Sequence, residues 1–99
     1  VGYSALVASN DDMAVGAMKQ LHQLGVKVPE QVSVVGFDDI ALAPFMVPAL
    51  SSVKVPVTEM IKESINRLIF MLDGGDFKFQ QTFSGELIER DSMVPGPHA

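Results

Sequence analysis

Cysteine is absent from this chain, which excludes disulfides and thiolate metal sites and fits a reducing compartment. Basic residues are scarce: 7 Lys and Arg stand against 12 Asp and Glu, a net charge of −5. That sign opposes the phosphate contacts that drive nucleic-acid binding, so the segment by itself is not expected to hold DNA. No apolar run approaches the ~18 uncharged residues of a membrane span. The first residues also lack the basic, apolar and small-residue order of a secretory signal. Position 1 is Val rather than Met, and the chain is read as a piece of something longer. Catalytic grammar is missing too: there is no Gly-x-Ser-x-Gly elbow, no phosphate-cradling glycine loop and no His-Glu-x-x-His. His22 and His98 read as bland surface residues. No catalytic residue and no cofactor is assigned.

What is present is apolar. Hydrophobic residues make up 47% of the 99 positions, and the mean hydropathy is +0.27. A chain of this length is one domain at most. Its hydropathy implies either a large packed core or, the reading preferred, apolar surface that waits for a partner. The organising stretch runs from Val32 to Ile40, Val-Ser-Val-Val-Gly-Phe-Asp-Asp-Ile. β-Branched residues, a short length and a Gly boundary favour a strand, with Asp38 and Asp39 where it emerges. In an open parallel sheet that point is where ligands bind.

The rest of the chain falls into order around it. Residues 3–9 read as a first strand whose run Ala5, Leu6, Val7, Ala8 suits a strand covered on both faces. Asn10, Asp11 and Asp12 can cap a following helix. Ala14, Ala17, Met18, Leu21 and Leu24 keep its period over 12–24, and Gly25 stands where a left-handed cap is wanted. A second stripe, Val15, Met18, Lys19 and His22, is either a helix flank or a subunit contact. Residues 40–50 hold Pro44 and Pro48 around Phe45, Met46 and Val47. Two prolines so close oppose regular structure, and an apolar loop of this kind is expected to dock against something. A third strand is read over 51–55, a helix over 56–72 with Pro56 in its first turn, and an edge or returning strand over 82–88 before a terminal tail. The helix is apolar nearly all round at Phe70 and Met71, a pattern that is normally buried. Met13, Met18, Met60 and Met71 follow helical spacing and read as core.

The order β-α-β-loop-β-α-β, with right-handed crossovers, should put helices on both faces and gather Asn10, Asp11, Asp38 and Asp39 on one edge. Three readings of that edge stay open. Acidic groups with Ser51, Ser52 and Lys54 near the third strand could hold Mg²⁺ in a receiver-like phosphoacceptor. Asn10 and Asp38 could instead exchange hydrogen bonds with the hydroxyls of a polyol. Asp12 and Asp39 are read as carboxylates in a first helical turn.

Three ordered blocks then carry a resemblance: Ala8-Ser-Asn-Asp-Asp-Met-Ala-Val-Gly-Ala-Met18; Gly25-Val-Lys-Val-Pro-Glu-Gln-Val-Ser-Val-Val-Gly-Phe-Asp-Asp-Ile40; and Pro48-Ala-Leu-Ser-Ser-Val53. They resemble the C-terminal part of the LacI/GalR repressors, across essentially the whole chain. The resemblance implies an α/β fold, a fragment of a periplasmic-binding-protein type I domain, mainly its C-terminal subdomain, with a parallel sheet flanked by helices. It also implies a cytoplasmic repressor segment over residues 1–99 that binds a sugar or glycoside effector and forms a homodimer. Operator DNA would be met only through a separate N-terminal domain outside this chain, with no membrane partner and no metal. By motif position, Asn10 and Asp38 are similar to effector contacts, and Asp11 and Asp39 to residues that support the loops. Val15, Met18 and Lys19 with Phe45, Met46 and Val47 are similar to the dimer interface. The helix over 56–72 resembles the segment that crosses to the other subdomain, whose absence would leave its apolar turns uncovered. An extracytoplasmic sugar-binding protein of a transporter shares this fold and is the alternative function.

Overall fold

The structure is a computed structural model and describes residues 2–75 and 80–96. Four strands form one sheet in the order β1 (Ala5–Val7), β2 (Ser33–Phe37), β3 (Ser51–Lys54), β4 (Glu86–Ile88). β1 and β2 are parallel, as are β2 and β3, whereas β4 returns antiparallel beside β3. The helices are α1 (Asp11–Gln23) and α2 (Val57–Leu72). The chain divides into two compact units, Val1–Lys54 with Glu86–Ala99, and Val55–Gly85.

In the first unit the expected helix signals operate as local chemistry predicts. Asn10 is the N-cap, its side chain accepting the Met13 N–H at 2.8 Å. Gly25 ends α1 at φ +74, a conformation that carries no steric cost without a Cβ. Ala14, Met18 and Leu21 pack against Ala8, Val32, Val34, Ala43 and Leu50 in one buried cluster, with Leu6, Ile40 and Met46 partly buried around it. Leu24, expected in the same stripe, is exposed because it is already the C-cap. Of the four helical methionines named above, only Met18 is core; Met13 and Met60 are exposed and Met71 is half-buried.

The strands differ from expectation at their edges. β1 is three residues long, and Val7 is 79% exposed. Alternate residues of a strand face opposite sides, so Leu6 meets the core while Ala5 and Val7 do not: β1 is covered on one face, not two. The residues between β2 and β3 contain a single 3₁₀ turn, Ala43–Phe45, with Pro44 inside it. That loop is docked through Ala43 and Leu50, both fully buried, whereas Phe45 and Val47 stand out. Because β4 is antiparallel to β3, α2 connects an antiparallel pair and not a parallel crossover.

Residues 89–94 run back along the sheet. Val34 N–H donates to the Ser92 carbonyl at 2.8 Å, and the Ser92 hydroxyl donates to the Val34 carbonyl while accepting Ser51 N–H. Ser92 thereby takes the ladder position beside β2 that β3 does not reach, which leaves these backbone groups satisfied in the interior.

In the second unit, α2 begins after Pro56, which occupies the N-cap position and not the first turn. None of its residues is buried, so the burial expected of the apolar turns at Phe70 and Met71 is not found among the described residues: the stripe has no face opposite it there. His98, and part of the expected tail, lie outside the described residues.

Candidate functional site

β1 and β2 are parallel, so their carboxyl ends lie on one edge, and there the acidic residues converge. The four carboxylates that follow have different fates. Asp11, in the first turn of α1, is fully buried. Its Oδ1 accepts the Ser52 hydroxyl at 2.7 Å and its Oδ2 accepts Ile40 N–H at 2.9 Å. A buried carboxylate needs such donors, and here it ties α1, β3 and the loop after β2 together. Gly36 makes room for it: a Cβ on Gly36 would stand 2.0 Å from Asp11 Oδ1.

Asp39 is half-buried in the loop after β2, at φ 54. No helix starts there, so the first-turn reading of Asp39 is wrong and the loop-support reading fits. Its N–H donates to Ser52 Oγ at 2.9 Å. Arg90 Nη2 lies 2.7 Å from its Oδ1 as an ion pair. The pair is not aligned as a hydrogen bond, and that buried oxygen has no hydrogen-bond donor among the described residues, so its compensation is electrostatic. Asp12, by contrast, is an exposed residue in the first turn of α1, as expected.

Asp38 is the carboxylate left over. It is exposed, and among the described residues nothing is hydrogen-bonded to its side chain. Its backbone sits at φ 112, which costs about 1–3 kcal/mol for a residue with a Cβ. Three successive amides hold it there: Asp38 N–H on the Val53 carbonyl, Asp39 N–H on Ser52 Oγ and Ile40 N–H on Asp11 Oδ2, each at 2.9 Å. Asn10 is half-buried on the same edge, its Oδ1 committed to the cap. Its amide nitrogen is the group left to donate. The edge therefore offers a fixed carboxylate acceptor and an amide donor, a pairing suited to hydroxyl groups. Among the described residues no group of three or more His, Cys, Asp or Glu could hold a metal ion. The Asp11 oxygens are occupied by Ser52 and Ile40.

Of the second set of expected residues, all but Phe45 meet elsewhere in the first unit. Val15, Met18, Lys19 and His22 of α1 face Met46, Val47 and Pro48 across a groove of about 880 Å³. Met18 is 7% exposed, so it belongs mostly to the core and gives only an edge to the groove. Phe45 and Val47 are 79% and 96% exposed. Sequence reasoning did not single out Arg90, Ser92 or the Ser52–Asp11 bond, since none lies in a periodic pattern.

No helix among the described residues is long and apolar enough to cross a membrane. Comparison with known proteins gives a consistent answer. Residues 3–93 match the family described as periplasmic binding protein-like domain. The chain is 76% identical over 92 residues to the HTH-type transcriptional regulator AscG of Escherichia coli K12, covering 93% of this chain and 27% of AscG. The crystal structure of the E. coli repressor AscG superposes with a TM-score of 0.76 at 76% identity, over 93% of this chain and 34% of that one. The lac repressor dimer bound to operator and an anti-inducer gives a TM-score of 0.83 at 29% identity, over 93% of this chain and 32% of that one. The complex of the regulator CelR with cellobiose gives 0.83 at 31%, over 90% and 28%. The chain thus spans about a third or less of these relatives, each a transcription regulator and not an enzyme or a transporter component. It is a fragment of a periplasmic-binding-protein-like α/β domain and belongs to the LacI/GalR family of transcriptional repressors.

Proposed function

We propose that residues 1–99 are the C-terminal subdomain segment of the effector-binding and dimerisation domain of a cytoplasmic transcriptional repressor. Within the family, the repressor of an arbutin, salicin and cellobiose operon is the member proposed. The effector is a sugar or glycoside, and the longer protein binds operator DNA as a homodimer through a domain outside this chain. Asp38 accepts hydrogen bonds from effector hydroxyls and Asn10 donates one through its amide. Effector binding shifts a two-state opening of the subdomains and so changes operator affinity. Val15, Lys19, Phe45, Met46 and Val47, with the edge of Met18, form the subunit face; Phe45 and Val47 expose large apolar groups that a partner copy would cover.

The observation that carries the effector reading is the exposed Asp38 carboxylate, held at positive φ by three captured amides and left without a described partner. The lac repressor dimer on operator and the CelR complex with cellobiose support the class of partner. The test is Asp38→Ala in the full-length protein, with operator release titrated against cellobiose and salicin. Hydrogen bonds to a charged group are worth about 1.5–3 kcal/mol each. Loss of two should raise the half-maximal effector concentration by about 100-fold or more, while operator affinity without effector stays at the wild-type value. A variant that still responds at wild-type concentrations removes Asp38 from the site.

A further inference from the structure

Asp38 and Asp39 both adopt positive φ, and the contacts that hold the first are not independent of those that hold the second. The two residues share a peptide unit, and both depart from ordinary φ, so a backbone change at Asp39 is passed directly to Asp38. The Asp39 carboxylate is 16% exposed, and the Arg90 guanidinium that compensates it is 17% exposed. Arg90 comes from the segment after β4, far along the chain, and it is fixed before it reaches Asp39. Its N–H donates to Ser51 Oγ at 2.8 Å and its Nη1 donates to the Leu50 carbonyl at 2.7 Å. The guanidinium fork is rigid and planar, so anchoring Nη1 on Leu50 presents Nη2 to Asp39 Oδ1 at 2.7 Å.

We propose that Arg90 is a positioning residue for the effector contact: clamped to Leu50 and Ser51, it holds Asp39, and through Asp39 the positive-φ conformation that sets Asp38 on the ligand edge. This rests on the effector reading of Asp38. Arg90 itself never touches the effector. Removing its charge leaves a mostly buried carboxylate uncompensated, and the loop then relaxes towards conformations in which Asp39 reaches water. Lysine is a poor substitute because an ammonium cannot bridge a carbonyl and a carboxylate with the same fixed fork.

The test uses the full-length protein and the variants Arg90→Gln, Arg90→Lys, Asp39→Asn and the double Arg90→Gln/Asp39→Asn. Amide hydrogen exchange is the first readout. In Arg90→Gln the Asp38, Asp39 and Ile40 amides should exchange about tenfold faster, while the Ala8 amide on the β2 ladder keeps its wild-type rate. Arg90→Lys should fall between, and serves in place of Arg90→Gln if that variant fails to fold. The second readout is effector-dependent operator release, with cellobiose and salicin as probes and Asp38→Ala in parallel. Arg90→Gln and Asp39→Asn should each raise the half-maximal concentration by about tenfold, and the double by no more than either alone, as coupled residues do. Wild-type exchange at residues 38–40 in Arg90→Gln overturns the inference. So do additive effects in the double variant, or a wild-type effector response in Arg90→Gln while Asp38→Ala has lost it. Faster exchange together with an Asp38→Ala protein that still responds overturns the effector reading instead, and with it any functional consequence of Arg90.

Discussion

α1 and α2 carry the same kind of message in sequence, an apolar stripe at helical spacing, and meet opposite fates. α1 buries Ala14, Met18 and Leu21, because the segment that follows supplies Val32, Val34 and Leu50 to cover them. α2 is longer and more apolar, yet none of its residues is buried, and Ile61, Ile65, Leu68 and Leu72 are all more than half exposed. A stripe states that a helix has a face to bury; it does not state what lies opposite. The core of the first unit is therefore supplied by residues of this chain, whereas the described residues supply no core for α2.

The sharpest way to break that contrast is to truncate one apolar side chain on each side of it. Leu50 is fully buried, and Leu50→Ala should cost about 3 kcal/mol in urea unfolding. Next in size is Gly36→Ala, where the added Cβ collides with Asp11 Oδ1. It should cost about 2 kcal/mol and disturb the Ser52 and Ile40 bonds, visible as faster exchange of the Ile40 amide. Asn10→Ala removes the α1 cap and should cost about 1 kcal/mol. Leu68→Ala is the smallest within the 99 residues, under about 0.5 kcal/mol as for an exposed site. In the longer repressor proposed above, the same substitution should rise to about 2 kcal/mol if α2 is covered there. Equal costs for Leu68→Ala in the two chains would erase the contrast between the helices.

Local signals were read well wherever they act locally. The Asn10 cap, the Gly25 stop, the α1 span and the β2 strand all rest on neighbours within four residues or on a simple period. β1 misled because an unbroken apolar run looks the same whether one face or both are covered, and Val7 is open to solvent. Met13 and Met60 misled for the same reason on their helices. The role of residues 89–94 was not legible at all, since a Ser at the right place to bridge β2 and β3 carries no pattern of its own.

The edge that gathers Asn10, Asp11, Asp38 and Asp39 follows from strand order alone. Four acidic or amide residues at two strand ends, and a nearby Ser51-Ser52 pair, are matters of sequence. Which carboxylate is free is not. Asp11 is occupied by Ser52, 41 positions away, and by Ile40, 29 positions away, while Asp39 is compensated by Arg90. Of these three, only Asp38 is left exposed. Burial and pairing between residues so far apart depend on which strands become neighbours, so the tertiary structure alone sorts three chemically identical side chains into a tie, a loop support and a candidate ligand contact.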